Sequence, residues 1–165
     1  MGTYLLTWSP KKWPWEDLPG LVGEIKKRGS CLTDWSCGNN KSIARGDRLF
    51  LLRQGEEPRG IVGAGWAESE PYEGAHWREE KARAGRTTMY LAVRWEKLLN
   101  PERESIFPRE WLNEGELTRV NWNTQISGIT IRPEAAEVLE RRWEDFLDGR
   151  GKGFSLFRRG PQAGA

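Results

Sequence analysis

The chain has 165 residues, a formal net charge of +2 and 37% hydrophobic residues, enough for one domain with a real core. No apolar run approaches the ~18 residues of a membrane helix, and the N-terminal MGTYLLTWSP lacks the charged and small-residue regions of a secretory leader. A cytoplasmic protein with no membrane partner is therefore expected. Two cysteines are too few for a disulfide framework, and with a single histidine they argue against structural zinc. Cys31 and Cys37 are expected as reduced, partly buried thiols.

In chain order, residues 3–8 predict a first strand, with Tyr4, Leu6 and Trp8 alternating against Leu5 and Thr7. Ser9-Pro10 and Trp13-Pro14-Trp15 break it. Residues 18–27 carry helical spacing at Leu18, Leu21, Val22 and Ile25, with Gly29 as a stop. Residues 31–35 predict a short strand and residues 36–46 a polar loop. Residues 47–53 are a buried strand, turned by residues 54–60 into a returning strand at 60–68, where Gly60, Gly63 and Gly65 suggest close backbone approach. Residues 70–87 form a long polar loop or short-helix insertion, and 88–95 alternate as a strand. A loop at 100–108, a short helix at 108–113, a polar loop at 120–128 and a last strand at 128–131 follow. Pro133 opens a final helix to residue 147, with Ala136, Leu139, Trp143, Phe146 and Leu147 as its apolar face.

About six short strands with flanking helices define an α+β fold around a small curved sheet or barrel. No strand leads through a glycine-rich phosphate loop into a helix, and GIVGAGW lies inside a strand. The domain is expected over residues 1–148. Residues 149–165 read as a basic, Gly-rich, disordered tail. Lys11 with Lys12, and Lys26 with Lys27 and Arg28, form further basic clusters that either meet phosphates or are solvated surface.

No catalytic constellation stands out. His76 is the only histidine, in a loop with Glu70, Glu73, Glu79 and Glu80, and no nucleophile signature accompanies it. Neither catalytic residues, nor a cofactor, nor a metal site is expected.

Ten tryptophans, several times ordinary usage, are the main anomaly. Three polar loops each have a tryptophan beside them: Trp35-Ser36-Cys37-Gly38-Asn39-Asn40-Lys41-Ser42, Pro71-Tyr72-Glu73-Gly74-Ala75-His76-Trp77, and Asn121-Trp122-Asn123-Thr124-Gln125-Ile126-Ser127-Gly128. Indole faces with amide and hydroxyl groups are what a flipped base requires. The residues alone leave a second reading open, in which the tryptophans pack the core and the polar side chains cap turns.

The segments TYLLTWSPKKWPW, WSCGNNKSIARGDRLFLLRQGEEPRGIVGAGW, SEPYEGAHW and WNTQISGITI resemble the EVE-type domain of the PUA-like superfamily, from Thr3 to about Leu147. The likeness is most specific from Trp35 to Trp66 and from Trp122 to Gly128. The nearest relatives in pattern are EVE domains fused to HNH nucleases in modification-dependent restriction, and the order of elements is similar to that of YTH domains. The resemblance implies a small barrel with a base-binding pocket that takes a modified cytosine, 5-methylcytosine or 5-hydroxymethylcytosine, from DNA. Trp35 and Trp77 would wall the cage. Ser9 and Lys11 would line its rim, and Ser36, Cys37 and Asn40 would contact the base edge. Trp8 and Tyr72 are further base-binding candidates. Trp122, Asn123, Thr124, Gln125, Ser127 and Lys41 would contact the base or the nucleic acid around it. Trp66, Trp95 and Trp143 look like core. No HNH segment is present, so a nuclease would be a partner or a fused domain absent from this chain, and the chain itself no enzyme. A reader of modified RNA and a nucleotide- or nucleoside-binding protein are the alternatives.

Overall fold

The computed structural model describes residues 1–151; of the tail expected over 149–165, residues 149–151 continue the last helix and the rest lies outside the described residues. The run RLFLLR at β3 (Arg48–Arg53) is buried at every position. Such a strand has no solvent face and belongs in the middle of a sheet. It lies between β4 (Gly60–Ala67), antiparallel, and β1 (Thr3–Trp8), parallel. The full order is β2 (Cys31–Gly38), β6 (Thr87–Leu98), β4, β3, β1 and β8 (Ile129–Ile131). Two short strands are added: β5 (Tyr72–Ala75) on β6, and β7 (Phe107–Pro108) on β4. The result is α+β, with eight strands in one curved, mixed sheet.

Three helices flank it: α1 (Leu18–Arg28), α2 (Glu79–Arg83) and α3 (Pro133–Gly151). The face predicted for α3 is the one buried, with Leu139 and Trp143 essentially inaccessible. Trp143 meets Phe50 of β3 edge-on at 6.1 Å, while Phe107 and Trp111 enclose Phe146. Arg48 is the polar tie between layers. The residue is 5% exposed, and its guanidinium reaches Glu140 of α3 at 2.7 Å and Glu96 of β6 at 2.9 Å and lies over Trp66. Two carboxylates and an indole face offset much of the cost of burying that charge. The α1 helix ends at Gly29, whose N–H bonds the Ile25 carbonyl. Lys26, Lys27 and Arg28 fill its last turn. There they face the negative end of the helix dipole, a structural role for that basic cluster.

Three predicted elements change. The loop expected from Ser36 is still strand to Gly38, because Ser36 and Gly38 pair with Tyr90 and Met89 of β6 across a bulge. A polar sequence is tolerated because β2 is a sheet edge. The insertion at 70–87 contains β5 and α2, both too short to show periodicity. The strand predicted at 88–95 runs Thr87–Leu98, because β6 pairs with β2, β4 and β5 along its length. Among the described residues no helix is long and apolar enough to cross a membrane.

Both cysteines are free and buried on β2. At ~3.3 Å per residue they stand ~20 Å apart along the strand, far beyond disulfide reach. Burial pushes the Cys31 and Cys37 thiols up to about 11. Near pH 7 neither should react with a thiol reagent in the native protein, and both should react after denaturation. A rapidly modified native thiol would contradict this packing.

Candidate functional site

The sheet curls until its ends meet. β2 begins the strand order and β1 and β8 end it, yet side chains join them directly. Trp35 donates its indole N–H to the Thr7 carbonyl at 3.0 Å. Ser127 donates its hydroxyl to the Ser36 carbonyl at 2.7 Å and accepts the Thr7 N–H at 3.1 Å. Asn40 donates its amide to the Gly128 carbonyl at 2.6 Å and accepts the Ser42 N–H at 2.7 Å. Gly128 in turn bonds the Leu5 carbonyl at 2.8 Å. Gly38 and Gly128 both have left-handed backbones, with φ of 66° and 92°. A Cβ on Gly128 would fall on the Cys37 carbonyl oxygen, and one on Gly38 on that of Ser127. Only glycine permits that backbone approach.

This clasp borders a cavity of about 940 Å³. Its aromatic lining includes Trp8, Trp13, Trp35, His76, Trp77 and Tyr90. Trp35 is 6% exposed, wedged between Trp13 at 4.9 Å, Trp15 at 4.6 Å and Trp95 at 6.3 Å, so it is a fixed surface. Trp13 and Trp77 are each 39% exposed, and Trp77 stacks on His76 at 5.2 Å. Five cations line the cavity, Lys12, Lys41, Arg78, Lys81 and Arg86, against one carboxylate, Asp34. The acids of α2 are already engaged: Glu79 pairs with Arg83 and Glu80 with Arg78. Lys81 and Arg86 form no ion pair among the described residues. His76 accepts the Arg78 N–H on Nδ1 at 3.0 Å, which leaves the proton of the neutral ring on Nε2. Burial, then Lys81, Arg86 and Arg78, hold its pKa below the usual imidazole value, so at pH 7 it is neutral.

Of the residues expected at a site, the structure brings together Trp8, Ser9, Trp35, Ser36, Asn40, Lys41, Trp77, Gln125 and Ser127. It does not bring Lys11, Cys37, Tyr72, Trp122, Asn123 or Thr124 to the lining. The turn after Ser9, closed by bonds from Lys12 and Trp13 to its carbonyl, presents Lys12 in place of Lys11, and Lys12 reaches the Gln125 side chain at 3.0 Å. Cys37 is fully buried, with its thiol toward the Asn40 carbonyl. Trp122 is core, its N–H bonded to the Leu117 carbonyl at 2.7 Å. Thr124 is buried and accepts the Ile126 N–H, while Asn123 is exposed with its backbone N–H on Asn121. Tyr72 is exposed on β5, stacked on Tyr90.

Ser36, Asn40 and Ser127 reach the cavity but spend their side chains on the clasp: Ser36 accepts the Gly38 N–H and shares a bond with Thr88. Asn39, the Ser42 hydroxyl and the Gln125 amide nitrogen keep unused hydrogen-bonding capacity among the described residues. Sequence reasoning missed Trp13, which read only as part of a proline-flanked break. It also missed the cations at 78–86, which alternate with glutamates and form no visible cluster.

No family model and no curated protein matches the chain. The fold does match solved structures. A hypothetical protein from Leishmania major is 12% identical with a TM-score of 0.59, over 89% of this chain and 97% of that one. A protein from Pseudomonas syringae is 15% identical with a TM-score of 0.55, over 85% and 99%. A third, from Rhodopseudomonas palustris, is 16% identical with a TM-score of 0.54, over 84% and 90%. At these identities the likeness is one of fold. Fold and site together define a small α+β domain with an aromatic, cationic cavity at the seam of its sheet.

Asn40→Ala removes two bonds of the clasp and leaves the buried Gly128 carbonyl unpaired, so it should cost about 1–3 kcal/mol in urea unfolding. Asn39→Ala, at the neighbouring exposed position, should cost less than about 0.5 kcal/mol. Equal effects would contradict the assignment of Asn40 to the clasp.

Proposed function

We propose that this chain is a modified-base reader, an EVE-type domain of the PUA-like superfamily that holds a flipped 5-methylcytosine or 5-hydroxymethylcytosine of DNA in the cavity beside Trp35. The observation that carries this reading is the meeting of three indoles, Trp13, Trp35 and Trp77, with five cations at one opening. A volume of about 940 Å³ accommodates a nucleoside, within the ~300–1,000 Å³ of small-ligand clefts. Stacking contributes about 1–3 kcal/mol per base, enough to offset the few kcal/mol needed to unstack it. A buried methyl adds about 0.8 kcal/mol. The methyl alone therefore gives only a few-fold preference, and a larger one requires close dispersion contact with the indoles. Phosphates on either side of the base would meet Lys12, Lys41, Arg78, Lys81 and Arg86.

In this reading Asn39, Ser42 and Gln125 address the base edge, and the clasp residues hold the wall they stand on. The chain binds and does not transform the base. Cleavage in a modification-dependent restriction system would come from a nuclease, as a partner or as a fused domain.

The test is fluorescence-anisotropy binding to matched duplexes carrying cytosine, 5-methylcytosine, 5-hydroxymethylcytosine or N6-methyladenine, at one near-physiological salt. The expected preference for a modified cytosine is about tenfold or more, ~1.4 kcal/mol. Trp77→Ala and Trp13→Ala should each reduce it by about tenfold while the protein stays folded. Equal, weak binding to all four duplexes would contradict the proposal. Tighter binding to the same modified base in an RNA strand would replace DNA by RNA as the target.

A further inference from the structure

Outside the cavity lining, Tyr72 presents an exposed aromatic surface. Tyr72 is 44% exposed at the start of β5. It stands directly opposite Tyr90 across the β5–β6 pair, and the rings stack at 6.0 Å with 29° between their planes. Tyr90 is fixed: its hydroxyl donates to the Ala75 carbonyl at 2.7 Å, and its ring covers Gly74, where a Cβ would lie 3.1 Å away. Tyr90 also lines the cavity, so the Tyr72 face continues outward from that opening. Just past the other end of β5 stands the second stacked pair, His76 on Trp77. Lys81 and Arg86 lie beside them, free of carboxylate partners among the described residues. The Tyr72 hydroxyl stays protonated at neutral pH, since burial and then Asp34 raise its pKa.

Fixed rings beside unneutralised cations are the elements of a stacking platform for a nucleic-acid strand. An apolar partner surface would leave Lys81 and Arg86 unmatched, whereas a polyanion with flat bases matches both. We infer that the strand carrying the held base continues over the outer face of β5 and β6, stacking a neighbouring base on Tyr72 and setting its phosphates against Lys81 and Arg86. This rests on the modified-base reading. It adds a second contact that reads no modification and gains affinity from flanking nucleotides.

The experiment uses single-stranded DNA with one central 5-methylcytosine or 5-hydroxymethylcytosine, whichever the full chain prefers, as a trinucleotide and as a nonanucleotide. Each is paired with its unmodified counterpart. The wild-type chain should bind the longer strand about tenfold more tightly. Tyr72→Ala should lose most of that gain, Tyr72→Phe should keep it, and neither should alter the ratio of modified to unmodified affinity. Lys81→Glu with Arg86→Glu should make the salt slope shallower by about 1.4, for two phosphates lost. Melting temperatures matching wild type establish that each variant is folded. A Tyr72→Ala chain that keeps the full length-dependent gain overturns the inference, as does a wild-type chain that gains nothing from flanks. A Tyr72 variant that loses the modified-to-unmodified ratio also overturns it, because Tyr72 would then act through the cavity. Loss of that ratio in the wild-type chain would instead count against the modified-base reading.

Discussion

The arrangement depends on one junction, where the end of β2 meets the segment before β8. These stretches are remote in the strand order, and nothing in the ladder of the sheet joins them. They are joined by Ser127 on Ser36, Asn40 on Gly128, Trp35 on Thr7, and two glycine backbones in close contact. Each such bond contributes only about 0.5–1.5 kcal/mol net, but several act on one seam. Without them the sheet would be an open surface; with them it curls, and the cavity lies at the seam. Side chains that a base reader would want for hydrogen bonding are consumed in building the wall.

The tryptophans divide by the same constraint. Trp95, Trp122 and Trp143 are buried in the core, and Trp66 packs on the Arg48 guanidinium. Trp35 is anchored at its N–H and by three neighbouring indoles, so it offers a surface without moving. Trp13 and Trp77 sit on short segments at the rim and expose part of their rings. An anchored floor with partly exposed flanks suits a flat ligand, because little conformational entropy is lost at the floor. The cations add long-range attraction without specificity, so under the proposed reading discrimination rests with the indoles and with Asn39, Ser42 and Gln125.

Much of this was legible in the sequence. The LFLL run announced a buried strand, Pro133 and its apolar spacing gave the start and buried face of α3 though not its end, and Trp35 and Trp77 were singled out beside polar loops. What escaped has physical reasons. Alternation cannot tell a residue that touches the cavity from one held in the wall behind it, so Cys37 and Trp122 ranked with Trp77. A single turn decides that Lys12 faces the cavity and Lys11 does not. Lys81 and Arg86 become a positive surface only because Arg83 and Arg78 neutralise the intervening glutamates, a pairing set by the geometry of α2. Asn40 looked like a base contact because an amide that binds a base and one that binds a carbonyl have the same composition.

The most direct measurement follows the tryptophan indole N–H resonances by NMR as an oligonucleotide bearing a modified cytosine is added. Ten indoles sample both the core and the cavity. The account predicts that Trp13, Trp35 and Trp77 shift on saturation while Trp66, Trp95, Trp122 and Trp143 stay in place. Shifts centred on the core tryptophans, or saturation with the three cavity indoles unmoved, would contradict it.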